Sequence, residues 1–282
     1  MSDALNEMAG HVEGELQKRI AKVAAYKPKK PRPVLSLSSA GKCQRQAMYK
    51  ILNAKENVWS WRSKITLEDG DFGHDQLRKY LRKTFRTKSH LKLVSEEKTV
   101  YLNVHGRKIA GHVDGIITKI CDCPVHKDWP RDTLLEVKTC SPGSYNYMKR
   151  GDISPDYRAQ ATAYMAALGI EDCLFMFKNK GTGEFIFIPY KKELDLEREI
   201  FERYKRILKF KRGGSTDLER EYGPDEKGRL PFSCNFCPFI LKCWREYEPS
   251  KLGTSYVYQL STDMLEVPGI NEVLLDEEET NG

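Results

Sequence analysis

Hydrophobic residues recur along this chain with two different periods. Segments 4–25, 68–86, 155–168 and 193–212 place apolar residues every three to four positions, which predicts amphipathic helices. A further helix through Cys43 and Tyr49 is predicted to follow Ser38 or Ser39, either of which can cap its first turn. Predicted helices therefore precede and follow the central part of the chain.

Between these helices the hydrophobic period shortens to two. Segments 91–104, 107–120 and 132–140 alternate apolar and polar residues, which predicts three successive strands. Segments 173–178 and 184–190 predict two more strands, joined by a turn over residues 180–183. This order predicts an α/β fold class, in which a mixed central β-sheet is flanked by helices.

The composition predicts three regions. Residues 1–33 comprise the first helix and a basic, proline-rich connector, KPKKPRP, which cannot stay helical. Residues 34–248 hold the predicted sheet and form the main domain. Residues 249–282 lose clear periodicity and end in acidic residues, so we expect a tail that is partly without fixed structure.

The charge distribution is asymmetric. The net charge is +7, and the last 20 residues contribute seven acids and no Lys or Arg, so residues 1–262 carry +14. Such a body attracts polyanions, nucleic acid foremost, although a merely solvated basic surface is an alternative. No stretch has the length and apolarity of a membrane span or signal peptide, which predicts an intracellular protein without a membrane partner. In a reducing compartment, closely spaced cysteines are more often metal ligands than disulfides.

Three polar motifs follow one another along the predicted sheet and its helices. Asp114 ends the sequence GHVD, Glu136 and Lys138 flank Val137 in a strand, and Gln160 precedes Tyr164 by four positions in a helix. Alternate strand residues share a face, so Glu136 and Lys138 are expected to project together. Two carboxylates on adjacent strands can hold Mg²⁺ or Mn²⁺, and Lys138 can stabilise an attacking water or a transition-state charge.

This ordered set resembles the PD-(D/E)XK nuclease superfamily, with Asp114 and Glu136-Val137-Lys138 as its acidic and ExK elements. The pair Gln160 and Tyr164 is similar to the QxxxY motif of the RecB-type branch, which also has a histidine on an earlier helix, at His74 here. The resemblance implies a restriction-endonuclease-like core and a metal held by His74, Asp114, Glu136 and the Val137 carbonyl. It implies that Gln160 and Tyr164 contact DNA or organise the site.

Cysteines supply a second candidate centre. Cys234, Cys237 and Cys243 form CxxCxxxxxC, a spacing that suits tetrahedral zinc or an iron-sulfur cluster and lacks a fourth ligand nearby. One cysteine before the core, Cys43, together with this motif after it resembles the iron-sulfur subset of RecB-type nucleases, such as the AddB nuclease domain and the CRISPR-associated exonucleases. That resemblance implies a structural 4Fe-4S cluster joining the N- and C-terminal segments. Zinc in the same four-cysteine site is the alternative.

The remaining cysteines are less informative. Cys121, Cys123 and His126 fall where a hairpin tip is expected. They indicate either a second zinc site that needs one more ligand or a polar loop with two thiols, and the loop is the simpler interpretation. Cys140 and Cys173 are expected to be small buried residues.

Basic and aromatic residues predict a surface for DNA. The 68–86 helix should present Arg78 and Arg82 opposite an inner side that includes His74, Leu77 and Leu81. Lys42, Arg45, Lys149 and Arg150 are further candidates for phosphate contacts. Trp59, Trp61, Tyr145 and Tyr147 are candidates for stacking on unpaired bases, with core packing as the alternative for each.

These features together predict a metal-dependent DNA exonuclease that acts on single strands or DNA ends in recombination, repair or end processing. The chain has no GxxxxGK[ST] motif, so an associated helicase would be a separate recombination or replication protein. By analogy, the short form suits a phage-encoded protein. The alternatives are a non-catalytic DNA-binding or assembly subunit that retains the fold, and a structure-selective endonuclease.

Overall fold

The computed structural model describes residues 34–54, 61–85, 90–124, 127–210, 218–226, 228–235, 237–245, 247–252 and 255–260, with a few positions between 8 and 19. Several predicted features lie outside these ranges in whole or in large part: the first helix and connector, Trp59, Arg86, His126 and the last acidic segment. Two compact units form: one comprises Met1–Ala54 with Val58–Asp217, and the other comprises Lys55–Asn57 with Leu218–Gly282.

Between residues 34 and 210, the described residues of the first unit form α-helices and strands in mixed order. The helices are α1 (Gln44–Ile51), α2 (Trp61–Thr84), α3 (Pro142–Lys149), α4 (Pro155–Leu168) and α5 (Leu194–Phe210). The strands are β1 (Leu91–Val94), β2 (Thr99–Val104), β3 (Arg107–His112), β4 (Gly115–Lys119), β5 (Asp132–Cys140), β6 (Asp172–Asn179) and β7 (Phe185–Lys191).

A five-stranded sheet in the order β1-β4-β5-β6-β7 is the centre of the first unit. β5 and β6 pair in parallel and the other neighbours pair antiparallel, so the sheet is mixed. Helices cover both faces. Leu77 and Leu81 of α2 pack with Leu135 and Val137 of β5, whereas the alternate residue Lys138 contacts Gln160 of α4. The predicted α/β fold with a helix-flanked mixed sheet is confirmed.

The first two predicted strands are each divided in the structure. Segment 91–104 forms β1 and β2, and segment 107–120 forms β3 and β4. Ser95 and Glu97 adopt positive φ values of 55° and 51° between β1 and β2, which ends regular extended backbone there. β2 and β3 then pair with each other as a separate two-stranded sheet, to which Ser36 adds an isolated bridge at Ala110 of β3. The prediction of continuous strands was wrong at these two points.

Local capping explains where the helices near the site begin. Ser141 and Ser154 each accept a hydrogen bond from a backbone N–H of the following turn, and each is followed by a proline that suits the first helical turn. The segment after the ExK strand is thus a helix, α3. The predicted cap at Ser38 or Ser39 was also wrong, because those residues form a 3-10 turn and α1 begins only after Cys43.

The second unit contains two one-turn helices, α6 (Phe232–Asn235) and α7 (Ile240–Cys243), and a hairpin of β8 (Tyr247–Leu252) and β9 (Ser255–Leu260). This hairpin occupies a segment for which the sequence predicted no periodic structure. The second unit has a small buried cluster formed by Leu230, Ile240 and Trp244. Within the part of the chain that the structure covers, no helix has both the length and the apolarity to cross a membrane.

Candidate active site

Strand β5 presents a buried carboxylate beside an ammonium. Glu136 is 1% exposed, and its Oε2 accepts a hydrogen bond of 2.8 Å from Nζ of Lys138. Val137 points to the other face, where it is fully buried in the hydrophobic core. The predicted sharing of one face by Glu136 and Lys138 is confirmed, because the strand is regular at this point.

Asp114 lies in the short break between β3 and β4. Gly115 pairs with Leu135, so the break places Asp114 at the level of Glu136 on the neighbouring strand. Its Oδ2 accepts a hydrogen bond of 2.8 Å from the backbone N–H of Val137, which fixes the carboxylate. Its Oδ1 is 3.7 Å from Nδ1 of His74 on α2. Three elements therefore converge on one carboxylate.

Helix α4 adds a polar connection on the opposite side of Lys138. The Oε1 of Gln160 accepts a 3.3 Å hydrogen bond from the Lys138 ammonium, and its Nε2 donates to the hydroxyl of Tyr164 at 3.3 Å. Tyr164 is 2% exposed. Glu136, Lys138, Gln160 and Tyr164 thus form one continuous hydrogen-bonded chain, which holds the lysine between a carboxylate and an amide.

Two neighbours of these hydrogen-bonded side chains were not identified from the sequence. The ring of Tyr157, one helical turn before Gln160, lies with its centroid 5.4 Å from Nζ of Lys138. Gly111 on β3 admits the Tyr164 ring, because a Cβ there would lie 2.4 Å from Cε1 of that ring. Tyr157 could have been found from the sequence, because residues three positions apart on a helix, such as Tyr157 and Gln160, lie on the same side. The role of Gly111 has no local sequence signal, because it depends on how β3 packs against α4.

The site is electrostatically polarised. Burial raises the pKa of Glu136 to about 7, against the opposing effect of the Lys138 charge. Burial also acts to raise the pKa of Asp114, but His74, Lys138 and the Val137 N–H outweigh it, and the pKa of Asp114 is lowered. Desolvation opposes the charge of Lys138, yet Glu136 and Asp114 together raise its pKa. Burial raises the pKa of Tyr164 to about 12.

The donor set fits a hard divalent cation. Among the described residues, Oε1 of Glu136 is buried and has no hydrogen-bond partner. An unsatisfied buried carboxylate oxygen is costly unless another group, such as an ion, satisfies it. Carboxylate oxygens suit Mg²⁺ or Mn²⁺, and the one imidazole is a better donor to Mn²⁺ than to Mg²⁺. His74, Asp114 and Glu136 are the side chains that would hold it, but their ligand atoms do not all lie within 4.8 Å of one another, so they must move closer together to bind one ion. The role of the Val137 carbonyl stays a prediction.

The predicted DNA contacts differ in their surroundings. Lys42 forms an ion pair of 2.8 Å with Asp156, Arg82 pairs with Glu96, and Arg78 pairs with both Asp75 and Glu97. Arg45 donates to the hydroxyl of Tyr49 on its own helix. By contrast, Lys149 and Arg150 are exposed at the end of α3, where Arg150 lies over the exposed ring of Tyr147 and 3.8 Å from Asp152. Tyr145 is buried, so for it core packing is confirmed.

The candidate cluster cysteines fall in different units. Cys234, Cys237 and Cys243 pack around the buried Leu230, Ile240 and Trp244 of the second unit. Cys43 belongs to the first unit and immediately precedes α1. Cys140 and Cys173 are buried as expected, at 8% and 2% exposure.

No protein-family model and no curated protein matches the sequence. Solved structures with a similar fold include the protein SSO0001, with a TM-score of 0.46 and 16% identity over 82% of this chain and 96% of that one. They also include an alkaline exonuclease from Laribacter hongkongensis, with a TM-score of 0.41 and 15% identity over 65% of this chain and 94% of that one. A phage-related exonuclease from Haemophilus somnus 129PT has a TM-score of 0.41 and 13% identity, covering 63% and 92%.

Proposed function

We propose that this protein is a Mg²⁺- or Mn²⁺-dependent deoxyribonuclease. The observation that supports this most is the buried carboxylate of Glu136, which has one oxygen on Lys138 and the other without a hydrogen-bond partner among the described residues, beside Asp114. A structural ion pair would leave no reason to bury an unsatisfied oxygen, whereas a cation site requires a free lone pair there.

Each side chain then has a definable task. Bound Mg²⁺ or Mn²⁺ supplies charge that offsets a phosphodiester and acidifies water. Lys138, held by Glu136 and Gln160, places a fixed positive charge where negative charge develops on the phosphate oxygens. The Val137 N–H fixes the rotation of the Asp114 carboxylate. Tyr164 fixes Gln160 and, because its pKa is about 12, stays protonated at neutral pH.

The substrate in this proposal is DNA with free ends or single strands, handled by an exonuclease in recombination, repair or end processing inside the cell. The +14 charge of residues 1–262 supports a polyanionic substrate. The RecB-type assignment rests on the sequence motifs Glu136-Val137-Lys138 and Gln160-x-x-x-Tyr164. A recombination or replication protein as a partner belongs to the same proposal.

Degradation of end-labelled single-stranded DNA with Mg²⁺ or Mn²⁺ tests the activity. Asp114→Asn and Glu136→Gln should abolish product formation, and chelation should do the same to the wild type. Asp132→Asn is the matched control, because this carboxylate lies at the start of the same strand and its Oδ1 accepts from Thr118. Equal activity in all four proteins would contradict the proposal and leave the non-catalytic binding subunit as the alternative.

Covalently closed circular DNA as a substrate distinguishes an exonuclease from an endonuclease. An exonuclease leaves the closed circle intact and degrades the same molecule once it is linearised. Cleavage of the closed circle at a rate comparable to that of the linear form would instead favour the structure-selective endonuclease. Either mode of cleavage requires the Asp114 and Glu136 carboxylates. The carboxylate variants therefore test whether the protein is a nuclease, and the closed circle tests whether it is an exonuclease.

A 4Fe-4S cluster held by Cys43, Cys234, Cys237 and Cys243 is part of the proposal, with zinc in the same site as its alternative. Thiolates supply the soft donors that either group requires. Anaerobic purification with iron, sulfide and zinc analysis distinguishes them. Cys43→Ser should lower the iron and sulfide content in parallel, and an unchanged metal content would remove Cys43 from the ligand set.

A further inference from the structure

A second group of metal-ligating side chains lies at the end of β4 that is remote from Asp114. His90 immediately precedes β1, and Cys121 and Cys123 follow β4. One ligand atom from each of the three residues lies within 4.8 Å of the other two, and the two Sγ atoms are 3.0 Å apart. The cysteines are half-buried and the histidine is exposed.

Strand pairing brings these residues together although they are about 30 positions apart in the sequence. β1 and β4 are antiparallel, with Leu91 opposite Lys119, so the residue before β1 meets the residues after β4. The N–H of Ile120 donates to the carbonyl of His90 at 2.9 Å and extends this register by one step. Cys121 and Cys123, two residues apart, then lie beside the imidazole.

We propose that His90, Cys121 and Cys123 bind one zinc ion. Two thiolates and an imidazole are the donors that Zn²⁺ prefers, and three protein ligands leave a fourth position for water or another donor. His126, which the sequence alone associated with these cysteines, lies outside the described residues and is not part of this ligand set.

The zinc site has a structural role. Cys121 is six positions after Gly115, the first residue of β4, which at ~3.3 Å per position puts the zinc about 20 Å from the Asp114 end of that strand. The ion is therefore too far away to act on a substrate at Asp114 and Glu136. It ties residues 120–124, which follow β4, to the edge of the sheet at β1. This inference does not depend on the proposed nuclease activity.

Metal analysis of the full-length chain, purified under anaerobic and reducing conditions, tests the site. We expect the wild type to hold one more zinc ion per chain than His90→Ala or the double variant Cys121→Ser/Cys123→Ser. His112→Ala is the matched control, because it removes another exposed histidine of the same unit, whose Nδ1 lies 3.2 Å from the Thr99 hydroxyl, and it should keep the zinc. Cys43, Cys234, Cys237 and Cys243 are intact in every sample, so any metal there cancels in the comparison.

Cobalt substitution and a rescue variant keep the test decisive if a variant folds poorly. Co²⁺ added to the metal-depleted wild type should give more thiolate-to-metal and tetrahedral ligand-field absorption than the double variant gives, because any Co²⁺ bound by the other four cysteines contributes equally to both proteins. His90→Cys should retain the ion and shift this absorption, because a third thiolate replaces the imidazole. Equal zinc content in the wild type and the double variant would overturn the proposal. A disulfide between Cys121 and Cys123 in the anaerobic protein would overturn it as well.

Discussion

Lys138 is held in place by several neighbours. It is held by Glu136 Oε2 and Gln160 Oε1, and its ammonium also lies near the Tyr157 ring. A cation fixed in this way costs little reorganisation when charge develops on a phosphate, which is why preorganised donors accelerate such reactions. A flexible surface lysine would not give the same effect.

Lys138→Gln should therefore lower kcat on single-stranded DNA by at least about 100-fold, with a smaller change in KM. Steady-state kinetics on an end-labelled oligonucleotide measures both constants. Lys178→Gln is the matched control, because Lys178 is a half-buried lysine on the adjacent strand β6 that donates to Gln76. Comparable kcat values for the two variants would show that the ammonium of Lys138 has no part in turnover.

Glu136 makes stability depend on pH when no cation is present. Its folded-state pKa of about 7 lies above the ordinary value of 4.5, so the folded state binds the proton more tightly than the unfolded chain. This contribution to stability is fully present below about pH 4.5 and is lost as the pH rises through about 7. The full loss corresponds to about 3 kcal/mol.

Urea denaturation in the presence of a chelator checks this effect. Between pH 4.5 and pH 8 the wild type should lose about 3 kcal/mol more stability than Glu136→Gln, which has no carboxyl group to ionise there. Asp114, whose lowered pKa gives the opposite trend, is common to both proteins and cancels. Added Mn²⁺ at pH 8 should restore the stability of the wild type alone. Parallel stability curves would contradict the assignment of the raised pKa.

At the scale of elements, close approach between β3 and α4 determines where Tyr164 and Gln160 lie. A Cβ at Gly111 would come within 2.4 Å of the Tyr164 ring and 2.7 Å of Cβ of Leu37. Gly111 has no positive φ, so the reason for glycine is space and not backbone conformation. The site therefore depends on a residue that bears no functional group.

Gly111→Ala should destabilise the first unit by about 1–3 kcal/mol, because a well-packed core must shift to admit the methyl group. Gly143→Ala is the matched control, since a Cβ at Gly143 meets nothing within 4 Å. Urea denaturation of the three proteins gives the difference directly. A Gly111→Ala variant as stable as the wild type would show that the α4–β3 contact adapts without cost.

The elements that local signals define were predicted well. The bounds of α4 agree with the prediction because Ser154 and Pro155 begin the helix and Gly169, at φ 67°, ends it. Glu136 and Lys138 share a face because strand alternation is a local property. The division of 91–104 and the hairpin of residues 247–260 were missed. Both depend on which strands pair, and the hydrophobic period does not contain that information.

The candidate sites divide in the same way. Spacing within one element was enough to associate Glu136 with Lys138 and Gln160 with Tyr164. The proximity of His74 to Asp114 followed only from the resemblance to known nucleases, since it joins α2 to the β3–β4 break. His90 was not associated with Cys121 at all, because the β1–β4 register brings them together across about 30 residues.

At the scale of the whole molecule, charge governs encounter with a polyanion. Residues 1–262 carry +14, but several of the basic side chains predicted to contact DNA already have acidic partners: Lys42, Arg78 and Arg82. A cation in an ion pair must lose that partner before it can bind a phosphate, which reduces its contribution. Lys149 and Arg150 are exposed at the end of α3, with Tyr147 beside them. Arg150 also has an acidic partner, Asp152, but at 3.8 Å this pair is longer than those of Lys42, Arg78 and Arg82, so the two residues are better placed for this role.

The double variant Lys149→Ala/Arg150→Ala should weaken binding of single-stranded DNA, and the loss should be larger at low salt. Each phosphate contact contributes about 0.7 to the slope of log K against log salt concentration for a single strand, so losing two should reduce the slope by roughly 1.4. Fluorescence anisotropy with a catalytically inactive Asp114→Asn background, titrated with DNA at several salt concentrations, measures this slope. Lys108→Ala/Lys191→Ala removes two exposed lysines from β3 and β7 and matches the change in net charge. If both double variants reduce the slope equally, DNA responds to the overall charge and not to a specific surface on α3, because only a local contact distinguishes variants of the same net charge.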